Sequence, residues 1–167
     1  RRVADIGLPL LLTGETGVGK EVAARFVHDL SMPDRPFVAV NCAAIPAELL
    51  ESELFGHEKG SFSGAHQRHL GLAERARDGM LFLDEIGDMP LNLQAKLLRL
   101  IEDRLFFRIG GEEPVPFRAR IVSATHADVE TEAKAGGFRQ DLLYRLNAIA
   151  IEIPPLRKRP DDIPWLM

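Results

Sequence analysis

The stretch LLLTGETGVGKEVAARFVH, residues Leu10–His28, decides which fold this sequence can adopt. It begins inside an apolar run, Leu8–Thr13, that predicts a buried strand, and it ends in an amphipathic segment that predicts a helix from about Lys20 to Leu30. A short loop that contains glycine joins the two. A strand that passes through such a loop directly into a helix is typical of proteins that hold a phosphate at the helix N-terminus.

The loop carries two glycines and a lysine in the spacing GxxxxGK. Glycine lets consecutive backbone N–H groups curl around a phosphate, and the helix N-terminus adds partial positive charge. The lysine, Lys20, is long enough to reach the β- and γ-phosphates of a nucleoside triphosphate. The alternative is a tight strand-to-helix turn that holds no ligand. The residues predicted to contact the nucleotide are Gly14, Glu15, Thr16, Gly17, Val18, Gly19, Lys20 and Glu21.

The segment MLFLDEIGD, Met80–Asp88, predicts the acidic half of the same site. Its apolar residues predict a central strand that delivers Asp84 and Glu85 to its carboxyl end, where open α/β sheets bind ligands. Asp84 suits Mg²⁺ coordination through water, and Glu85 suits orienting and deprotonating an attacking water. The alternative is that both carboxylates form a helix-capping surface. Because Glu21 replaces the usual Ser or Thr after Lys20, magnesium would depend more on the nucleotide, water and the acidic site.

Apolar runs alternate with amphipathic segments along the rest of the chain, which predicts an α/β fold. Apolar strands separated by helices indicate a mostly parallel, five-stranded sheet that helices cover on both faces. A stretch with two adjacent glycines at its centre predicts an added hairpin. The predicted strands are Leu8–Thr13, Phe37–Val40, Met80–Leu83, Arg120–Thr125 and Ile149–Ile153, the helices are Lys20–Leu30, Ala47–Leu54, Leu70–Ala76, Leu91–Asp103 and Phe138–Leu146, and the hairpin is Phe106–Phe117.

The bulk composition is that of one ordinary globular domain. With 167 residues, 46% apolar and 28% charged, the chain can bury a sizeable core. The net charge of −4 argues against a broad basic surface, so DNA would be held by a segment outside this chain. The single cysteine, Cys42, excludes an internal disulfide and fits a reducing compartment, and no apolar run reaches the length of a membrane span. We therefore expect a cytoplasmic protein that does not bind membranes.

Polar residues also follow two other predicted strands. Asn41 comes after FVAV, and Thr125 and His126 come at the end of RIVSAT. In a parallel sheet these tips lie close to the Asp84 strand, within reach of a γ-phosphate. His126 alone would more often be a surface or capping histidine. Cys42 is interpreted as a small buried hydrophobic residue, because no base lies at a suggestive spacing.

Two arginines, Arg139 and Arg145, fall on or beside the helix predicted in FRQDLLYRLN. In one interpretation they form ordinary surface ion pairs, and Asp141 is the acidic partner available to Arg145 at helical spacing. In the other, an arginine reaches the nucleotide of a neighbouring subunit and stabilises the charge that develops during hydrolysis. Sequence spacing does not choose between these interpretations.

The segment FGHEKGSFSGAHQ, Phe55–Gln67, has neither helical nor strand periodicity, yet it places Phe62 between Gly60 and Gly64. An exposed aromatic side chain on a glycine-hinged loop is unfavourable unless another surface takes it up. Phe62 either folds back onto its own domain or contacts a partner.

Seven segments, in order along nearly the whole chain, now carry a family resemblance. They are GETGVGKE, FVAVNCAAIP, ESELFGHEKGSFSGA, LFLDEIGDMP, LQAKLLRLIE, ATH and FRQDLLYRLN with the following IPPLRKRPDDIP. Together they resemble the central AAA+ domain of bacterial enhancer-binding proteins, the activators that work with sigma-54 RNA polymerase. The combination of a glutamate after the P-loop lysine with ELFGxxxGxFxGA makes the resemblance specific.

The resemblance implies a three-layer αβα AAA+ fold, ring-shaped hexamers or heptamers, and Mg²⁺-dependent ATP hydrolysis at subunit interfaces that remodels a closed promoter complex into an open one. By this resemblance Lys20 is the Walker A lysine, and Asp84 and Glu85 are the Walker B pair. Asn41 matches the residue that holds the catalytic glutamate inactive until the γ-phosphate is sensed. Thr125 and His126 fall at the sensor I position, and Arg139 and Arg145 match two arginines offered in trans. Glu21 is a trait of the clade.

The loop around Phe62 resembles the family's GAFTGA loop, which grips sigma-54. The six matching residues are Gly60, Ser61, Phe62, Ser63, Gly64 and Ala65. Ser61 replaces Ala, and Ser63 replaces Thr and loses a methyl group that is worth up to about 0.8 kcal/mol of apolar contact. The family's second, supporting loop corresponds to the hairpin around Gly110 and Gly111.

The resemblance also implies where the domain ends. Residues 1–155 would form the α/β core, and 156–167 would begin the linker to a helical lid that follows the chain. DNA-binding and sensory domains would lie outside the chain, and without its lid the domain would bind nucleotide poorly. Two alternatives stay open: a nucleotide-gated, oligomerising regulator that no longer engages sigma-54, and a P-loop kinase or small-molecule transferase.

Overall fold

The chain alternates strands and helices in the order that the apolar runs predict. The computed structural model describes residues 7–160, so of the linker predicted over 156–167 the part from 161 to 167 lies outside the described residues. Among residues 7–160, none of the helices is both long and apolar enough to cross a membrane. The elements are β1 (Leu10–Thr13), α1 (Lys20–Ser31), β2 (Phe37–Asn41), α2 (Ala47–Phe55), β3 (Gly56–His57), β4 (His69–Leu70), α3 (Leu72–Arg75), β5 (Met80–Asp84), α4 (Leu91–Asp103), β6 (Leu105–Phe107), β7 (Pro114–Pro116), β8 (Arg120–Thr125), α5 (Val129–Ala135), α6 (Gln140–Leu146) and β9 (Ile149–Glu152).

Five of these strands form one sheet in the order β2-β5-β8-β1-β9, and every pairing within it is parallel. The predicted α/β fold with a five-stranded sheet is therefore confirmed. Because the strands are parallel, their carboxyl ends lie along one edge of the sheet. One strand, β8, separates the loop that follows β1 from the acidic residues that end β5. The predicted hairpin is also present, as the antiparallel pair β6–β7.

The side chains of the sheet alternate between two cores, because successive residues of a strand point to opposite faces. On one face α1 covers a core that includes Leu10 and Phe82. On the other face α2, α4, α5 and α6 cover a larger core that includes Leu11 and Leu81. The helices thus form outer layers on both sides of the sheet, as the three-layer prediction requires.

The structure contains one helix that the sequence interpretation missed, and it shortens another. Asp128 caps α5 because its Oδ1 accepts a hydrogen bond from the N–H of Thr131 at 3.1 Å, and Gly136 ends the helix in the left-handed region. These two cap residues were the available signal. The helix predicted over Leu70–Ala76 is confined to α3, since β4 pairs with β3 at its start.

A buried glutamine joins α4 to the segment that leads into α6. Gln94 is fully buried on the leucine-rich face of α4. Its Nε2 donates to the carbonyl oxygens of Met89 at 2.8 Å and Gly137 at 3.2 Å, and its Oε1 accepts from the N–H of Arg139 at 2.8 Å. Gln94 therefore fixes where α6 begins, and with it the position of Arg139.

Replacing Gln94 with leucine should lower the free energy of unfolding of this domain by about 1–3 kcal/mol, because it leaves buried backbone groups without their partner. Urea denaturation of the variant measures the loss. The matched control is Gln140→Leu, at an exposed position of α6, which should change stability by less than about 0.5 kcal/mol. Equal stability of the Gln94 variant and the wild type would contradict the assigned role.

Candidate functional site

The loop between β1 and α1 has the backbone shape that a phosphate-binding loop needs. Gly14, Gly17 and Gly19 all have positive φ angles, of 148°, 82° and 94°. Gly14 cannot be replaced without displacement, since a Cβ there would lie 2.5 Å from the carbonyl oxygen of Ile153. Lys20 is nearly buried, and its Nζ donates to the carbonyl oxygens of Gly14 at 2.9 Å and Glu15 at 3.2 Å. The loop therefore curls around the lysine head group.

Parallel pairing brings the acidic residues to the same edge. Asn41 of β2 lies opposite Asp84 of β5, and its Nδ2 donates to Asp84 Oδ2 at 3.3 Å. Burial raises the pKa of Asp84 above its usual range, and the adjacent charge of Glu85 raises it further. A carboxylate whose ionised form is disfavoured in this way gains from a nearby cation.

Glu85 lies just beyond the end of β5, in the left-handed region at φ 51° and ψ 52°. Its Oε1 lies 3.7 Å from the Nζ of Lys20. Its Oε2 accepts from the Nδ1–H of His126 at 2.6 Å and from the backbone N–H of His126 at 3.1 Å. Burial acts to raise the pKa of Glu85, but the hydrogen bonds from His126 and the charge of Lys20 outweigh it, and the pKa is lowered. Glu85 is therefore held ionised between two cationic or donor groups.

By the family resemblance Asn41 would hold the catalytic glutamate, Glu85, but in this structure its side chain contacts the other acidic residue. Asn41 binds Asp84, and its Oδ1 accepts from the N–H groups of Ala43 and Ala44. The side chain that binds Glu85 is His126. Thr125 is buried, and its Oγ1 accepts from the N–H of Ala127 at 3.0 Å.

The side chains of two neighbours of the site make no hydrogen bond to Lys20, Asp84 or Glu85 in the part of the chain that the structure describes. The carboxylate of Glu21 binds the guanidinium of Arg25 one turn along α1, at 2.8 Å, on the exposed side of the helix. Cys42 is buried, and burial together with nearby carboxylates raises the pKa of its thiol to about 12. A thiol that stays protonated at neutral pH fits the interpretation of Cys42 as a small hydrophobic residue.

The two predicted arginines are about half exposed, and each binds a carboxylate of its own subunit. Arg139 precedes the first turn of α6 and binds Asp141 at 2.7 and 3.0 Å. Arg145 binds Glu102 of α4 at 2.9 Å, so the suggestion that Asp141 would pair with Arg145 was wrong. The reason is tertiary, since α4 packs beside α6 and offers a carboxylate that helical spacing cannot reveal.

Sequence reasoning missed two arginines that hold the phosphate loop from the other end of the described chain. The guanidinium of Arg157 binds both carboxylate oxygens of Glu15. Arg159 donates to the carbonyl oxygen of Val18 at 2.6 Å. The segment IPPLRKR thus packs on the loop between β1 and α1. Nothing in the local sequence pattern indicates these contacts, which span more than 140 residues.

The loop around Phe62 is folded into a tight turn. The N–H of Gly60 donates to the carbonyl oxygen of Ala65 at 2.8 Å, and the N–H of Ala65 donates to the carbonyl oxygen of Phe62 at 3.0 Å. Gly60 and Gly64 have φ angles of 82° and 109°, which explains the glycines. Phe62 is 42% exposed, and its ring meets the ring of His57 edge to face with centroids 4.9 Å apart. The aromatic side chain therefore rests on its own domain while much of it stays accessible.

The hairpin β6–β7 supports the base of this loop. Backbone hydrogen bonds join Glu58 N–H to the carbonyl oxygen of Ile109 at 3.0 Å and Ile109 N–H to that of Gly56 at 2.9 Å. Arg108 is largely buried and binds Glu58 at 3.1 Å and Glu74 at 2.8 Å. The two insertions therefore form one joined unit, although neither Arg108 nor Glu74 was singled out from the sequence.

Comparisons with known proteins place the chain in a family. The sequence profile described as the sigma-54 interaction domain matches residues 1–152. The transcriptional activator HyfR of Escherichia coli K12 is 54% identical over 165 residues, which cover 98% of this chain and 25% of HyfR. The regulator NtrC of Azospirillum brasilense is 51% identical over 99% of this chain and 35% of NtrC, and PilR of Pseudomonas aeruginosa PAO1 is 52% identical over 99% of this chain and 37% of PilR.

Solved structures agree with these relatives. A crystal structure of NtrX from Brucella abortus has a TM-score of 0.91 at 41% identity and covers 99% of this chain and 37% of the NtrX chain. The same protein in complex with ATP gives a TM-score of 0.90 at 40% identity, over 99% of this chain and 36% of NtrX. The chain thus spans about a quarter to two-fifths of the length of these relatives. It belongs to the sigma-54 interaction domain family, whose members include the nucleotide-binding AAA+ modules of bacterial transcription activators.

Proposed function

We propose that this domain binds ATP and hydrolyses it as the motor of a sigma-54-dependent transcription activator that remodels the closed promoter complex. The observation that carries the proposal is the approach of the Lys20 ammonium to within 3.7 Å of the Glu85 carboxylate across the end of β8. A phosphate-binding loop after β1 and an acidic pair at the end of β5, with only β8 between the two strands, are the parts that nucleotide hydrolysis needs. Neither the small-molecule kinase nor the regulator without sigma-54 contact gains support from the family match.

The residues of the loop fit a triphosphate. Positive φ angles at its glycines are the conformation in which consecutive backbone N–H groups can curl around a phosphate, and α1 begins directly after Gly19. Lys20 would exchange the carbonyl oxygens of Gly14 and Glu15 for the phosphates, and the peptides from Gly14 to Glu21 would surround them. We propose that the contacts of Arg157 and Arg159 hold the loop in this shape.

Asp84 is the residue that we propose for Mg²⁺, through water. Its carboxylate is a hard oxygen donor at the end of the central strand, and the cation would offset the burial and like charge that raise its pKa. When bound, Mg²⁺ neutralises charge on the transferred phosphate. Asn41 would keep Asp84 oriented through the hydrogen bond from its side-chain amide.

Glu85 is the proposed general base. An ionised carboxylate can orient a water molecule and accept its proton, and the lowered pKa of Glu85 keeps it in that form. His126 and Thr125 follow β8 beside it, so we assign His126 to holding Glu85 and Thr125 to fixing the turn that presents His126. Both assignments follow from the hydrogen bonds that His126 and Thr125 make in this chain.

The exposed arginines suit action between subunits. Arg139 and Arg145 are about half exposed, and the carboxylates that hold them, Asp141 and Glu102, lie on the surface of the packed helices α6 and α4. We propose that a ring of six or seven subunits brings this surface against the nucleotide of a neighbour, where arginine stabilises developing charge. Promoter DNA would be bound by a domain outside this chain, and the protein would act in the cytoplasm.

The loop Gly60–Ala65 is the proposed contact for sigma-54. It presents a partly exposed aromatic ring on glycine hinges, a shape that suits a partner-binding anchor. Ser61 and Ser63 flank Phe62, and the side chain of Ser61 packs against Gly110 of the hairpin, where a Cβ would lie 2.6 Å away. The apolar contact with the partner therefore depends on Phe62.

Lys20→Ala should weaken ATP binding by about tenfold or more in the full-length protein, because a charge-assisted contact to phosphate is lost.

Glu85→Gln should keep ATP binding and lower the hydrolysis rate by about 100- to 10,000-fold, because the general base is lost. Nucleotide titration and steady-state phosphate release measure the two effects. Glu130→Gln on the exposed face of α5 is the control. Hydrolysis at the wild-type rate by the Glu85 variant would refute the assignment.

Phe62→Ala should leave ATP hydrolysis within about twofold of wild type and weaken retention of sigma-54 by about thirtyfold or more, as expected for an aromatic anchor. Retention is measured with purified sigma-54 and protein trapped by ADP–aluminium fluoride. Leu91→Ala, which removes an apolar side chain that is 49% exposed at the start of α4, is the control and should have no effect. Unchanged retention by the Phe62 variant would exclude the loop as the partner contact.

Arg145→Ala should lower hydrolysis by about a thousandfold or more if the arginine acts on a neighbouring subunit's nucleotide. Mixing it with the Glu85→Gln variant should restore activity, because some interfaces then contain both intact residues. Glu102→Gln, which removes only the ion pair within the subunit, should keep most activity. If that control loses as much activity as Arg145→Ala, or if mixing restores nothing, Arg145 serves the ion pair alone.

A further inference from the structure

His57 lies beneath the Phe62 loop with both ring nitrogens engaged. Its Nδ1 lies 2.7 Å from the hydroxyl of Ser52 on α2, and its Nε2 lies 3.1 Å from the carbonyl oxygen of Gln67. Because a carbonyl oxygen can only accept, Nε2 carries the hydrogen and Nδ1 accepts from the serine hydroxyl in the neutral ring. The orientation of the ring is therefore fixed by one bond from a helix and one from the returning arm of the loop.

Two aromatic rings, those of Phe62 and His69, contact the His57 ring. Phe62 meets it edge to face, with centroids 4.9 Å apart and an interplanar angle of 68°. His69 stacks on it at 5.4 Å and 24°, from the strand that pairs with β3. An edge-to-face arrangement at this distance is the favoured geometry for aromatic pairs. His57 thus provides a fixed platform on which the Phe62 ring is held.

We propose that His57 is a positioning residue that holds Phe62 against its own domain, so that a partner can take up the Phe62 ring only after the ring has left His57. The proposal rests on the function proposed above for the Phe62 loop. A ring that is 42% exposed has its other side covered, and full insertion into a partner requires that side as well. The energy of one aromatic contact corresponds to a shift of about two- to tenfold between the held and released positions.

The hydrogen bond from Ser52 makes this platform dependent on α2. The turn that precedes α2 is tied to Asn41, whose Oδ1 accepts from the N–H groups of Ala43 and Ala44. Asn41 in turn binds Asp84 at the nucleotide site. A displacement of α2 relative to the sheet would therefore move the Ser52 hydroxyl and change the orientation of the His57 ring.

Hydrogen–deuterium exchange of the full-length protein tests the contact from both sides. His57→Ala and Phe62→Leu should each speed exchange of the amides in residues 58–67 by about two- to tenfold, because each removes one partner of the ring pair. The double variant should exchange no faster than the faster single variant, since both remove the same contact. His66→Ala, an exposed histidine of the same loop, is the matched control and should not change exchange.

A retained aromatic platform should rescue the loop. His57→Phe keeps a ring at the position and should restore most of the protection that His57→Ala loses, with ATP hydrolysis within about twofold of wild type in both. Unchanged exchange in either single variant, or additive effects in the double variant, would overturn the proposal. If His57→Ala does not fold, the Phe62→Leu and His57→Phe proteins still decide the question.

Binding of purified sigma-54 separates this proposal from the function on which it rests. His57→Ala should retain sigma-54 without nucleotide at least about twofold better than wild type, since the released position is more populated. Suppose that the wild type retains sigma-54 in the ADP–aluminium fluoride state. If His57→Ala and the wild type then retain sigma-54 equally without nucleotide, the proposed role of His57 is overturned. If the trapped wild type retains no sigma-54, the proposed partner is wrong, and the exchange measurements alone decide the role of His57.

Discussion

The carboxylate of Glu85 is the point on which the arrangement of the site depends, because the ends of three neighbouring strands meet there. Lys20 follows β1, His126 follows β8, and Glu85 itself follows β5. The carboxyl ends of these three strands meet because the sheet is parallel and places the strands in the order β5-β8-β1. A slip of one residue between β5 and β8 would send every side chain of the slipped strand to the opposite face and would break the contact with His126. The alternation of apolar side chains that fills the two cores therefore also fixes the strand register that brings His126 to Glu85.

Glu85 and Asp84 are adjacent in sequence but bind different strands, for a reason that lies in the backbone. Asp84 is the last residue of β5 and stands in register with Asn41, so the amide of Asn41 meets Asp84. Glu85 has left the strand in the left-handed region, which directs its side chain toward the end of β8. Such a conformation is costly for a residue with a side chain and is tolerated where the surroundings hold it. Two hydrogen bonds from His126 and the charge of Lys20 supply that support.

The parts that the sequence predicted well are those in which cause and effect are close along the chain. The loop before Lys20, the strand before Asp84 and the helix Leu91–Asp103 follow from local period and composition, and the structure has them at or within a few residues of the predicted bounds. The contacts that were missed join distant segments. Arg145 and Glu102 are 43 residues apart, and Arg108 and Glu74 are 34 apart. These ion pairs form because α4 packs beside α6 and the hairpin packs beside α3. The spacing of residues along the sequence does not indicate which helices pack together.

The contacts of the Phe62 loop with the rest of the domain lie at its base. Its tip is held by local backbone hydrogen bonds, by the ring pair of Phe62 with His57 and by the packing of Ser61 against Gly110. One side of the base reaches Asp84 through His57, Ser52, α2 and Asn41, and the other side joins the hairpin through Ile109 and Arg108. Both routes run through hydrogen bonds that join helices and strands, from 2.7 Å between Ser52 and His57 to 3.3 Å between Asn41 and Asp84. A change at the nucleotide site that moves α2 must then either move Phe62 or break one of these named contacts.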